Sequence, residues 1–197
     1  LPATIRGGAL HGGTVRISGS RSSQFLSSLL FLAPMVGEDV RIEITDELIS
    51  QPLVTTTLEV MRQAGIVIDA ADDLLSFQIA GGQSYRPGEY RVNGDWPSSA
   101  AILAAGALTS SGIIVERLFE DGQGERAVLD WLRETGVDVS WDGERVELRG
   151  HDGLRGVDFD GDQATDAVLA MLTVAAHADG TSRFYGIGNL RYKECDR

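Results

Sequence analysis

The stretch Asn189-Leu190-Arg191-Tyr192-Lys193-Glu194-Cys195-Asp196-Arg197 holds the densest set of groups able to do chemistry: two arginines, a lysine and two carboxylates within seven residues. Lys193 is the sole lysine of a chain that otherwise uses arginine. Arginine offers a planar fork and lysine a compact ammonium, so a lone lysine points to a site that needs the compact donor. The plain alternative for such a run is a solvated surface. Asp166, just ahead of an apolar stretch, is either a helix N-cap or a carboxylate aimed into a cleft. Ser22 and Ser23 precede another apolar stretch, where unpaired backbone N–H groups and the helix dipole favour an anion; they either hold a phosphate or cap the helix. Ser50, ahead of Gln51-Pro52, opens a further helix and could approach the same anion. The histidines add little: His177 falls in an apolar helix and reads as core, and His11 and His151 sit in glycine-rich turns.

These groups are carried on a unit that recurs almost three times. Each unit opens with small polar residues that run into an apolar helix: Ser20 to Gln24 before Phe25 to Ala33, Trp96 to Ser99 before Ala100 to Leu108, and Gln163 to Asp166 before Ala167 to Ala178. A glycine-containing turn and a β-rich run follow, at Val40–Ile44, Gly112–Glu116 and Thr181–Tyr185. Next comes an amphipathic helix, with apolar positions Val54, Leu58 and Met61 in the first unit and Val128, Trp131, Leu132 and Thr135 in the second. Both helices stop at glycine, Gly65 or Gly136, and lead into a hairpin turned at Asp72-Asp73 or Asp142-Gly143. The expected fold is therefore α/β, built of βαβαββ units whose wholly apolar helix covers the inner face of a sheet. Residues 1–13 look like the tail of an earlier unit and the third unit halts at Arg197, so a sequence cut at both ends is expected. Asn93-Gly94-Asp95-Trp96-Pro97 gathers breakers between two pattern cycles and sets a boundary between a first domain, 1–92, and a second, 93–197; a loop within one domain is the rival reading.

Composition narrows the class. With 197 residues and 43% of them hydrophobic, the chain can bury one sizeable core or two small ones. No apolar run approaches the roughly 20 residues of a membrane-spanning helix, and the first residues lack a signal peptide's plan, so a cytoplasmic location is expected. A single cysteine, Cys195, excludes an intramolecular disulfide and a thiolate zinc cluster. A net charge of -12 argues against nucleic acid, whose affinity rests on Lys and Arg. It fits a salt-loving source and ordinary bacterial acidity alike.

Together the motifs resemble one family. Ser18-Gly19-Ser20-Arg21-Ser22-Ser23-Gln24 is similar to the phosphate-binding segment of 5-enolpyruvylshikimate-3-phosphate synthases. Gly81 to Gly88 and Gly94-Asp95 with Ser98-Ser99-Ala100 look like its domain crossover, and Arg191-Tyr192-Lys193-Glu194-Cys195-Asp196-Arg197 resembles its Arg-x-Lys-Glu-x-Asp-Arg signature. The resemblance runs along the whole chain and implies the enolpyruvyl transferase fold: two domains of three βαβαββ units each, with this chain spanning the end of one and the start of the other. It implies transfer of the enolpyruvyl group of phosphoenolpyruvate to the 5-hydroxyl of shikimate 3-phosphate, on the route to chorismate and the aromatic amino acids. Ser22, Ser23 and Ser50 would then bind the shikimate phosphate and Gln24 its ring region. Asp166 would take the proton of the attacking hydroxyl, Asn189 and Lys193 would contact shikimate 3-phosphate, Glu194 would handle a proton on the enolpyruvyl carbon, and Arg197 would grip phosphoenolpyruvate. No metal, organic cofactor, nucleic acid or membrane partner is implied, and the full-length enzyme would be a monomer. Such chemistry needs a base at oxygen, an acid at carbon and cations for two phosphates and a carboxylate.

The chain departs from the family pattern in the Asp162 to Thr165 loop before Asp166, at Leu53 in place of a frequent tyrosine, at Cys195 in place of threonine, and at Trp96-Pro97. Its rivals are a same-fold transferase with another acceptor and an inactive paralogue, for which the altered loop is the only support. The 197-residue piece alone is expected to be inactive.

Overall fold

The computed structural model describes residues 2–109, 112–193 and 195–197. The chain falls into two compact units, residues 1–88 and 89–197.

In the first unit the elements run β1 (Gly13–Ile17), α1 (Ser23–Leu32), β2 (Val40–Ile44), α2 (Gln51–Gln63), β3 (Asp69–Ala70) and β4 (Ser76–Ile79). This is the βαβαββ order that the periodicity predicts. The sheet order is β1-β2-β4-β3, with β1 parallel to β2 from Gly13↔Val40 to Ile17↔Ile44 and β4 antiparallel to both of its neighbours. A parallel pair needs a crossover, which α1 supplies. Along β2, Val40 and Ile42 point into the core while Arg41 is exposed, as a half-buried strand requires. Leu26 and Leu30 of α1, and Val54 and Met61 of α2, close the core over Phe77 and Ile79. Residues 2–12 contain no helix or strand; the backbone N–H of Gly12 donates to Glu38 Oε2 at 3.0 Å.

The second unit holds α3 (Trp96–Ala107), β5 (Ile113–Glu116), α4 (Val128–Thr135), β6 (Val139–Trp141) and β7 (Arg145–Leu148), then β8 (Asp158–Asp160), α5 (Val168–Ala175) and β9 (Arg183–Tyr185). One sheet has the order β5-β7-β6, and β8 lies parallel to β9. The triplet β8-α5-β9 repeats β1-α1-β2. The middle repeat differs from expectation because it has no leading strand among the described residues. Tyr90 and Val92 remain 48% and 81% exposed, so this run has no buried face to hold it against β5. Gly94 joins the residue after β5, its N–H donating to Arg117 O at 2.8 Å.

Two helix stops follow the predicted chemistry. Gly136 ends α4 at φ 103, and Gly65 follows α2 at φ 83, a region that glycine enters without Cβ strain. The apolar helices cover their sheets without being buried all round. Helix α1 buries Leu26 and Leu30 but leaves Phe25 61% exposed, with Phe31 and Leu32 exposed beside it. Helix α3 is more enclosed because α5 packs against it and Gly106 lets it approach β5; a Cβ on Gly106 would sit 2.3 Å from Ile113 Cγ2. His177 needs a correction. It lies beyond α5, exposed, with Nδ1 2.9 Å from Thr173 O, because the helix ends at Ala175 and does not reach Ala178. No helix among the described residues is long and apolar enough to cross a membrane.

Candidate functional site

The first unit sets two helix openings side by side. Ser22 is the N-cap of α1, in extended conformation, and its hydroxyl accepts the N–H of Gln24 at 3.2 Å. The capping role is therefore real for Ser22. Ser23 begins the helix and is buried, while Gln24 is exposed. The loop before them is pinned by a residue that sequence reasoning passed over. Asp46 accepts the Ser18 hydroxyl at 2.6 Å, the Gly19 N–H at 2.7 Å and the Ser20 hydroxyl at 3.0 Å. The Ser18 hydroxyl and the Gly19 N–H hold its carboxyl below the usual aspartate range. Gly19 itself has no room for a side chain, since a Cβ would lie 2.7 Å from Glu47 O.

Ser50 opens α2, and the Ile49 N–H donates to Gly19 O at 3.3 Å, which ties this opening to the loop ahead of α1. Ser50 is buried, makes no side-chain cap, and stands at φ 53, ψ 44. A non-glycine residue in that left-handed region costs on the order of 1–3 kcal/mol. Its hydroxyl is thus placed at a helix opening without serving the helix. The two openings are joined further along by Ser27 Oγ and Thr57 Oγ1, 2.9 Å apart.

In the second unit the structure brings Asp166, Asn189, Lys193 and Arg197 together. Asp166 sits in the 3₁₀ turn Thr165–Ala167 ahead of α5 and caps nothing. Its Oδ1 instead accepts Arg197 Nη1 at 2.7 Å and lies 3.5 Å from Lys193 Nζ, with side chains only 28%, 18% and 21% exposed for Asp166, Arg197 and Lys193. The helix-cap reading of Asp166 is thereby overturned: the carboxylate turns to two cations that follow the 3₁₀ turn Gly188–Tyr192. Lys193 is partly buried in this ion pair. Asn189 donates from Nδ2 to Thr165 Oγ1 at 3.0 Å, and its Oδ1 is buried without a hydrogen-bond partner among the described residues. Thr165, also missed in the sequence, passes the link on by donating to Gly161 O at 2.9 Å. Glu194 lies outside the described residues. Cys195 is exposed and free.

Beneath Asp166 lies Glu125, in the 3₁₀ turn Gly124–Ala127, only 4% exposed. Its Oε1 accepts the Asp166 N–H at 3.4 Å. Burial pushes its carboxyl above the usual glutamate range, and the neighbouring Asp166 charge adds to that, against the opposing pull of two backbone N–H groups and Lys193. Nothing in the sequence separates Glu125 from an ordinary surface acid near a helix start. Among the described residues no group of three or more His, Cys, Asp or Glu could hold a metal ion.

A pair of helix openings side by side in one unit, and an acid held by two cations in another unit of the same βαβ pattern, define an α/β scaffold of repeated units. Its fold is shared by an EPSP synthase of Acinetobacter baumannii, at a TM-score of 0.73 and 20% identity over 95% of this chain and 43% of that one. The enolpyruvyl transferase NikO from Streptomyces tendae also shares it, at a TM-score of 0.66 and 19% identity over 90% of this chain and 45% of that one. The family model for EPSP synthase (3-phosphoshikimate 1-carboxyvinyltransferase) matches residues 1–197, and the chain belongs to that family. Curated 3-phosphoshikimate 1-carboxyvinyltransferases are similar throughout: that of Deinococcus radiodurans is 41% identical over 100% of this chain, and that of Methanothrix thermoacetophila 43% identical over 100%. The chain spans 45% and 46% of those two relatives' lengths.

Proposed function

We propose that this chain forms part of an enzyme that transfers the enolpyruvyl group of phosphoenolpyruvate to the 5-hydroxyl of shikimate 3-phosphate, releasing phosphate. The observation that supports it most is the Asp166 carboxylate held between Lys193 and Arg197 at the opening of α5. A carboxylate so placed can accept the proton of an attacking hydroxyl once incoming anions engage its two cations. Arg197 suits the carboxylate or phosphate of phosphoenolpyruvate through its bidentate fork, and Lys193, a compact donor, suits shikimate 3-phosphate and its hydroxyls. The unused Oδ1 of Asn189 is an acceptor for a substrate hydroxyl. Glu194 would exchange the proton on the enolpyruvyl carbon. In the first unit Ser22, Ser23 and Ser50 would bind the shikimate phosphate and Gln24 the ring region, through helix-end donors. Residues 1–92 would be the last part of one domain and 93–197 the first part of the next.

The test is phosphate release from phosphoenolpyruvate by the full-length protein carrying this chain, measured with and without shikimate 3-phosphate. Release that depends on shikimate 3-phosphate is expected; its absence in folded protein contradicts the reading. The 197-residue chain, which spans under half the length of its relatives, is expected to show no turnover alone.

A further inference from the structure

Glu125 has no part in the scheme above, yet it is a carboxyl group kept away from water, and glutamate is almost never fully buried without a partner. Its partner is the site itself. Oε1 takes the N–H of Asp166 at 3.4 Å, and the 3₁₀ turn that carries Glu125 packs on the 3₁₀ turn that carries Asp166. Helix α3, which packs on the same turn, carries no charged residue; α4, which also packs on it, carries Asp130, Arg133 and Glu134; the charges that act on the Glu125 carboxyl are those of Asp166 and Lys193.

We infer that Glu125 is a positioning residue: its buried carboxyl holds the backbone of Asp166, and through it fixes the Asp166 carboxylate between Lys193 and Arg197. An unanchored turn Thr165–Ala167 could rotate the carboxylate away from one cation or both. Misplacements of about 1 Å at a reacting centre cost up to roughly 10²-fold in rate. The inference rests on the proposed reaction for its kinetic consequence, though not for its structural one.

Two variants of the full-length protein separate acceptor from bulk. Glu125→Met keeps the volume and suits a buried position but offers the Asp166 N–H no acceptor; Glu125→Gln keeps the acceptor and removes the charge. Acylation of Lys193 by an N-hydroxysuccinimide ester, read by peptide mass, reports its ion pair without reference to turnover. Glu125→Met is expected to raise the labelling rate severalfold and to lower kcat by about tenfold with KM little changed, the scale of a small displacement at the reacting centre. Glu125→Gln is expected to stay close to wild type in both. Unchanged Lys193 labelling in Glu125→Met overturns the inference, as does an equal loss in both variants. Altered labelling in a protein whose wild type does not turn over leaves the positioning role standing and removes the proposed reaction.

Discussion

Two aspartates stand at the openings of two apolar helices in the second unit and do different things. Asp95, before α3, accepts the Ser98 N–H at 3.0 Å and caps the helix. Asp166, before α5, leaves its helix uncapped and binds Arg197 and Lys193. Asp95 directly precedes its helix and Asp166 lies two residues ahead of its own, in a 3₁₀ turn, and what each does follows from what faces it. Around Asp95 the opening is closed by a hydrogen-bond network that contains no cation: Gln123 accepts the Trp96 N–H at 3.0 Å and donates to Gly94 O at 3.2 Å and to Asp121 at 2.7 Å. Around Asp166 the facing turn brings cations. The aspartate at a helix opening in this fold thus caps the helix or pairs with cations according to the loop set against it.

Breaking the comparison at its chemical end should have the largest effect. Asp166→Asn in the full-length protein keeps the shape and removes the proposed base, so kcat is expected to fall by about 10²- to 10⁴-fold with little change in Tm. Lys193→Arg keeps charge but replaces a compact donor with a wide one. A loss of ~10²-fold or more in kcat/KM at unchanged Tm is expected, and near-full activity would return Lys193 to the surface. Ser23→Ala should weaken shikimate 3-phosphate by about 1.5–3 kcal/mol, read by calorimetry; unchanged affinity would make the serines of α1 structural only. At the structural end, Asp95→Ala removes a cap and should cost about 1 kcal/mol of stability, seen as a lower Tm. It should cost less kcat/KM than Asp166→Asn. Glu125 sharpens the contrast through pH. Its folded pKa is raised, so its favourable contribution is present in acid and lost as pH rises through that value. Glu125→Gln should therefore gain more in Tm over wild type at alkaline pH than at acid pH.

The repeat was legible because apolar periodicity, glycine stops and aspartate turns are local signals. They place β2 over Val40–Ile44 and end α4 at Gly136 as expected. The missing strand near Tyr90 was not legible, since a strand needs a buried face and that depends on what covers it. The exposed side of α1 escaped for the same reason. In the candidate site, Lys193 announced itself by composition, and Ser22, Ser23 and Ser50 by their place before helices. The N-cap and cleft readings of Asp166 could be told apart only by the cations across from it. Asp46 and Glu125 gave no sign, because one is an acid in a loop and the other an acid near a helix start, and only the fold shows what each one holds.

The central claim is that Asp166 and Lys193 act as one reacting unit, and a double-mutant cycle on the full-length enzyme tests it most directly. Residues that act together are strongly non-additive, because the second change has little left to remove. Asp166→Asn combined with Lys193→Arg is therefore predicted to turn over at close to the rate of the poorer single variant. Losses in kcat that multiply across the two substitutions would show independent roles and contradict the account.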